Sequence, residues 1–352
     1  MASGIGGVIG APVTPLTGAN AVDLDTLGRL CDFLVAQGVH GLALPMHTGE
    51  SLNLSMAERK SLVETAVSAV GGRVPVFAHV SLPGTDQVIE LAQHAEKAGA
   101  AAVVVVTPYH WRPPREALLA HFTAVARAVS VDVLAYNFPG RLGVGLDAGL
   151  LAELIEACGN FAGVKDASYD MQSFTEACAR TSALRPGFAM LTGIEYLLTS
   201  MPVGGAGCFS PSAAIAPGLV RSLYEACRDG DAARARPLQY RASALWHLLR
   251  ETGYPASVKA AMAIFGRPAG GVRLPLLDLD GEAAERLREG LAGLGLLDSE
   301  PHGWSLRGPP VMAGLGHGRG GAAPAMTAAP GPVRESPAAA ARRGPAARCE
   351  PG

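Results

Sequence analysis

Short apolar runs alternate with longer segments in which apolar residues recur at every third or fourth position, and the alternation repeats eight times in the first two thirds of the chain. The runs are GVIGAPVTP (7–15), GLALPMHTG (41–49), PVFAHVS (75–81), AAVVVVTPY (101–109), DVLAYNFP (132–139), FAGVKDAS (161–168), FAMLTGIE (188–195) and GAGCFSP (205–211). Each is near strand length and apolar on both faces, as a strand buried in a parallel sheet must be. Between them, stretches such as DLDTLGRLCDFLVAQG, TDQVIELAQHAEKAGA and PREALLAHFTAVARAV carry the one-sided apolar stripe of a helix covering a sheet. Eight such units predict an α/β fold of the (β/α)8 TIM-barrel type. An open doubly wound sheet is the competing arrangement. It would stop at five or six strands and place a glycine-rich phosphate loop after the first, where this chain has the proline-bearing GAPVTP.

Beyond Gly230 only helical patterns follow: ARARPLQYRASALWHLLRET, SVKAAMAIFG and DGEAAERLREGLAGLG. The division this predicts is a barrel over 1–230, a C-terminal helical appendage over 231–298 and a tail over 299–352. The tail is rich in Gly, Pro, Ala and Arg without period, so its burial would not offset its ordering entropy, and it is expected to be disordered.

Composition narrows the function. With 49% hydrophobic and 17% charged residues, the 352-residue chain can bury a large core. Its 29 basic and 31 acidic residues leave a formal charge of -2, and no basic stripe is interleaved with aromatics, which argues against a nucleic-acid partner. Six scattered cysteines, Cys31, Cys158, Cys178, Cys208, Cys227 and Cys349, form neither a disulfide framework nor a thiolate metal site. No leader and no membrane-spanning apolar run are visible, so a soluble protein of the reducing cytoplasm is expected, without membrane association.

In a (β/α)8 barrel, reactive side chains stand at the C-terminal ends of the strands. Here those ends carry His47, Thr48 and Glu50 after the second run, Thr107, Tyr109 and His110 after the fourth, Tyr136 and Asn137 on the fifth, and Lys165 and Asp166 on the sixth. A lysine closing an apolar strand is the most specific of these. Burial favours the neutral amine, which can attack a keto carbon to form an imine that then acts as an electron sink. The alternatives are an ion pair with Asp166 or an ammonium reaching water at the rim. Tyr136, on the neighbouring strand, is placed to transfer protons during imine formation, or else to pack with its hydroxyl on backbone.

Taken together, GAPVTP, HTGE followed by LSMAERKSLV, VVTPYHWRP, AYNFPGRLG, GVKDAS, LTGIE, GGAGCFS and PASVKAAM resemble the dihydrodipicolinate synthase and N-acetylneuraminate lyase family of Schiff-base class I aldolases. The likeness runs from about Gly7 to Leu297. It implies an imine between Lys165 and pyruvate or another 2-oxo acid, proton shuttling by Tyr136, and a substrate carboxylate held by Thr48 and the backbone near Gly49. By the same resemblance Phe209 turns its carbonyl to the site, Glu50 is structural, and Arg141 binds the carboxylate of an aldehyde acceptor, a task suited to a guanidinium. No cofactor beyond the covalent lysine imine is implied, no metal is, and a homodimer or homotetramer is expected. Two positions depart from the family. His47 replaces a threonine that links tyrosines in a proton relay, and His110 replaces a tyrosine contributed across the dimer interface. Either the relay is rebuilt with imidazoles or both histidines bind a different substrate. Two further functions compete with a synthase: a lyase or dehydratase of a 2-oxo sugar acid, and a catalytically silent regulatory barrel.

Overall fold

The computed structural model of the protein describes residues 4–305. In chain order its elements are β1 (Gly7–Gly10), α1 (Leu24–Ala36), β2 (Gly41–Leu44), α2 (Met56–Val70), β3 (Val76–His79), α3 (Thr85–Ala98), β4 (Ala102–Val106), α4 (Arg115–Arg127), β5 (Asp132–Asn137), α5 (Pro139–Leu142), α6 (Ala148–Ala157), β6 (Phe161–Asp166), α7 (Met171–Leu184), β7 (Ala189–Thr192), α8 (Leu197–Ser200), β8 (Gly207–Ser210), α9 (Pro217–Arg228), α10 (Ala232–Glu251), α11 (Ala256–Ile264), α12 (Gly281–Gly293) and α13 (Leu296–Ser299).

The eight strands close in sequence order into one parallel barrel, each falling inside one of the eight apolar runs. Closure between β1 and β8 pairs Gly7 with Gly207. Gly207 has φ 147°, and a Cβ there would overlap the Gly7 backbone, so the seam needs glycine. Strand alternation explains why the runs are apolar throughout. Ile9, Phe77, Val104, Leu134, Leu191 and Phe209 fill the barrel, while Val103, Val105, Val133 and Val164 face the surrounding helices. Local chemistry sets the helix starts. Ser55 and Glu58 form a reciprocal capping box on α2, and the side chains of Asp23, Asp147, Asp170 and Asp280 cap α1, α6, α7 and α12. Among the described residues no helix is long and apolar enough to cross a membrane.

Helices α10 to α12 share one apolar cluster with the barrel. Leu245, Leu249, Val258, Met262, Phe265, Leu287 and Leu291 pack in the same group as Leu27, Leu30 and Leu219 of α1 and α9. One ion pair locks this region to the loop after β2. Lys259 of α11 meets Glu50 at 2.7 Å, with side chains 3% and 2% exposed. Glu50 also accepts the backbone N–H of Arg273 at 2.8 Å, and Lys259 donates to the Gly271 carbonyl at 2.5 Å. Removing one member of such a pair strands the other charge in the interior. Lys259→Met is therefore expected to destabilise the fold by about 3–5 kcal/mol in urea titration; a loss within experimental error would show the pair to be dispensable.

The expectation of a disordered tail beginning at residue 299 is corrected for its first seven residues. Glu300 is 6% exposed and accepts the backbone N–H groups of Gly218 and Leu219, both at 2.8 Å, at the start of α9 where a carboxylate offsets the helix dipole. The fully buried Arg267 donates to the Pro301 and Gly303 carbonyls and, on its other side, to those of Ala214 and Ile215. Trp304 sets its edge against Phe33 under the Arg29 guanidinium. Composition missed this because the binding is by one carboxylate and backbone carbonyls, which leave no periodic signature. The rest of the expected tail, 306–352, lies outside the described residues. Truncation after Asp298 uncaps α9 and deprives Arg267 of two acceptors, so the thermal midpoint is expected to fall by about 5 °C or more. Calorimetry of the truncated chain showing no shift would contradict these contacts.

Candidate active site

At the C-terminal mouth of the barrel lies a cavity of about 390 Å³ whose walls include His47, Thr48, Tyr136, Arg141 and Lys165. The volume is in the range of small-molecule sites. Lys165 and Tyr136 are directly paired across β6 and β5, so both side chains enter the barrel at one level. Lys165 is 5% exposed, and its Nζ lies 3.9 Å from the centre of the Tyr136 ring and 5.1 Å from that of Phe209.

The ion-pair alternative for Lys165 is not what forms. Consecutive strand residues point to opposite faces, and the Asp166 carboxylate turns outward to accept Asn137 Nδ2 at 2.7 Å and Ser168 Oγ at 2.6 Å. Left among aromatic faces, the Lys165 amine is pulled by burial from 10.5 down to about 7.

His47 stands on a single turn, His47–Gly49, that follows β2. The turn is closely packed at Gly49: a Cβ there would lie 3.1 Å from Thr14 Oγ1, which donates to the Gly49 carbonyl at 2.6 Å. The imidazole bridges two phenols, with Nδ1 at 3.3 Å from Tyr136 Oη and Nε2 at 3.3 Å from Tyr109 Oη. Burial first, then the charges of Lys165, Arg141 and Arg59, lower its pKa from 6.5 to about 3. A neutral imidazole has one N–H and one lone pair, so it accepts from one phenol while donating to the other. Burial raises Tyr136 well above the usual phenol range and Tyr109 to about 12, so the three groups are an uncharged hydrogen-bonded chain. What the ring offers is a two-ended bridge between the phenols. Behind it, His79 is 1% exposed and packs edge-on to His47 at 5.7 Å between ring centres.

Two expected site residues lie outside the cavity walls of this chain. Within this chain His110 does not reach the cavity. It occupies a left-handed turn at φ 69°, its ring lies 4.9 Å from that of Trp111, and the residue is exposed. The preceding residue, Tyr109, makes the inward contact. Phe209 is wholly buried and forms the floor beneath Lys165. Among the cavity residues that escaped the sequence reading are Trp246 and Arg250 of α10, Tyr254 just beyond it, and Tyr169. Tyr254 Oη lies 2.6 Å from Thr48 Oγ1, and Trp246 packs edge-on to Tyr254 at 5.1 Å. Only the adjacency of Tyr254 to the PASVKAAM stretch hinted at it, since the helical period does not say that α10 reaches over the mouth.

A (β/α)8 barrel with a deeply buried lysine at the end of β6, without an ion pair among the described residues and facing a tyrosine on β5, defines an enzyme of the class I aldolase and lyase type. The chain belongs to the dihydrodipicolinate synthetase family, whose sequence model matches residues 4–293. It is 37% identical over 295 residues to the 4-hydroxy-tetrahydrodipicolinate synthase of Methanopyrus kandleri, covering 83% of this chain and 97% of that one. To 4-hydroxy-tetrahydrodipicolinate synthase 1 of Streptomyces coelicolor it is 40% identical over 280 residues, covering 79% and 90%. Among solved structures, a prophage protein of the family from E. coli K12 in complex with pyruvate superposes with a TM-score of 0.80 at 30% identity, covering 83% of this chain and 99% of that one. A crystal structure of dihydrodipicolinate synthase gives 0.78 at 34%, covering 83% and 100%.

Proposed function

We propose that the protein condenses pyruvate, or a close 2-oxo acid, with a carboxylate-bearing aldehyde, or cleaves the corresponding product, through an imine on Lys165. The observation that supports this most is the Lys165 amine held against the face of Tyr136, without an ion partner among the described residues. With its pKa near 7, a large fraction is the free amine at neutral pH, ready to add to the keto carbon. Loss of the carbinolamine hydroxyl as water needs a proton, which Tyr136 supplies and recovers through His47 and Tyr109. The methyl carbon next to the iminium then gives up a proton, and the resulting enamine attacks the aldehyde carbon, whose oxygen takes up a proton. Hydrolysis frees the product and regenerates the amine. Every step uses side chains of this chain and water, so no external cofactor is called for.

Thr48 and the backbone near Gly49 hold the 2-oxo acid carboxylate, which then competes with Tyr254 for the Thr48 hydroxyl. Arg141 receives the acceptor's carboxylate. Assembly into a homodimer or homotetramer, and residence in a reducing cytoplasm in keeping with the free cysteines Cys31, Cys158, Cys178, Cys208 and Cys227, belong to the same reading. Incubation with pyruvate and borohydride, followed by intact-mass measurement, should show one reduced adduct per chain. Absence of any adduct at saturating pyruvate would overturn the proposal.

A further inference from the structure

Among the described residues, the cavity walls hold two guanidinium groups, Arg141 and Arg250, and no carboxylate. Both side chains are exposed to the cavity mouth and solvent. Neither is in an ion pair among the described residues, whereas Arg73, Arg115, Arg228 and Arg273 each hold an acidic partner. The two come from opposite sides of the mouth in sequence terms, Arg141 from α5 after β5 and Arg250 from the last turn of α10. They nonetheless line one cavity, together with Tyr169, whose phenol is raised to about 12 chiefly by burial, with both arginine charges acting against that rise. Arg250 also suits the negative end of α10, a structural role that by itself would leave substrate choice untouched.

Two unpaired cations facing one cavity attract and orient a ligand with two negative charges, and a planar guanidinium does so with a directional fork. One carboxylate on the acceptor matches Arg141 and leaves Arg250 without a counterpart. We propose that the acceptor bound here is dianionic, bearing two carboxylates or a phosphate, with Arg250 as the residue that selects for the second charge. This deepens the reading of the cavity as the site of pyruvate condensation and rests on it.

The test uses the full-length chain charged with pyruvate and three aldehydes of increasing charge: glyceraldehyde, succinic semialdehyde and glyceraldehyde 3-phosphate. In the wild type, kcat/KM should rise along the series. Arg250→Gln should lower it for the phosphorylated aldehyde by roughly 10- to 100-fold, the range for losing a hydrogen bond to a charged group, while changing it for succinic semialdehyde by no more than about twofold. Glutarate and inorganic phosphate, used as unreactive competitors against the phosphorylated aldehyde, distinguish a pair of carboxylates from a phosphate. The proposal fails if the wild type shows no preference for the dianion, if neither competitor inhibits, or if Arg250→Gln lowers all three rates equally. Borohydride trapping of pyruvate on the Arg250→Gln protein keeps this failure separate from failure of the function itself. The imine needs no acceptor, so its formation should be unchanged in the variant.

Discussion

Lys165→Ala is expected to abolish pyruvate trapping by borohydride and to lower turnover by roughly 10³-fold or more, because among the described residues no other amine lines the cavity to form the imine. The folded state should survive, since the change removes a buried, unpaired amine and leaves the aromatic walls in place. Circular dichroism of the variant checks that. The wild type carries a further signature in its pH dependence. Burial lowers the folded pKa of Lys165 to about 7, so the reactive amine is the minor form below that pH and the major form above it. The trapping rate should therefore climb through about pH 7 and level off, with activity lost on the acid side. A rate that is flat from pH 6 to 9, or a Lys165→Ala protein that still traps pyruvate, would remove this lysine from the mechanism.

Tyr136→Phe tests the relay. The ring face beneath the Lys165 amine is kept and only the hydroxyl, 3.3 Å from His47 Nδ1, is removed. Turnover is expected to fall by roughly 10²- to 10⁴-fold, the scale for a positioned proton donor and acceptor, while KM for pyruvate shifts little. A fall in affinity with turnover intact would make Tyr136 a binding group. His47→Phe should show the same pattern in milder form, because it leaves Tyr136 in place but cuts its link to Tyr109.

The barrel and its buried strand-end lysine were legible in the sequence for different reasons. Strands buried on both faces must be apolar throughout, and only a lysine with a purpose closes such a strand, so FAGVKDAS stood out. Tyr136 was legible because neighbouring parallel strands end at one level. The tyrosine and lysine are in register, as the order of strands required. Glu50 read as structural and is so, although its partner Lys259 lies 209 positions away.

The sequence by itself thus determined the order of strands and helices, the end of the barrel that carries the reactive side chains and the buried lysine proposed as nucleophile, because each depends on periodicity or on the cost of burying a charge. Tertiary structure alone decided the rest. It turned Asp166 away from Lys165, sent Tyr109 inward while His110 stays exposed, and set His47 as a bridge between two phenols. It also brought Trp246, Arg250 and Tyr254 over the mouth and docked Glu300 on α9. Each of these depends on which segments distant in the chain come within hydrogen-bond or Coulomb range, and local pattern carries no record of such distances.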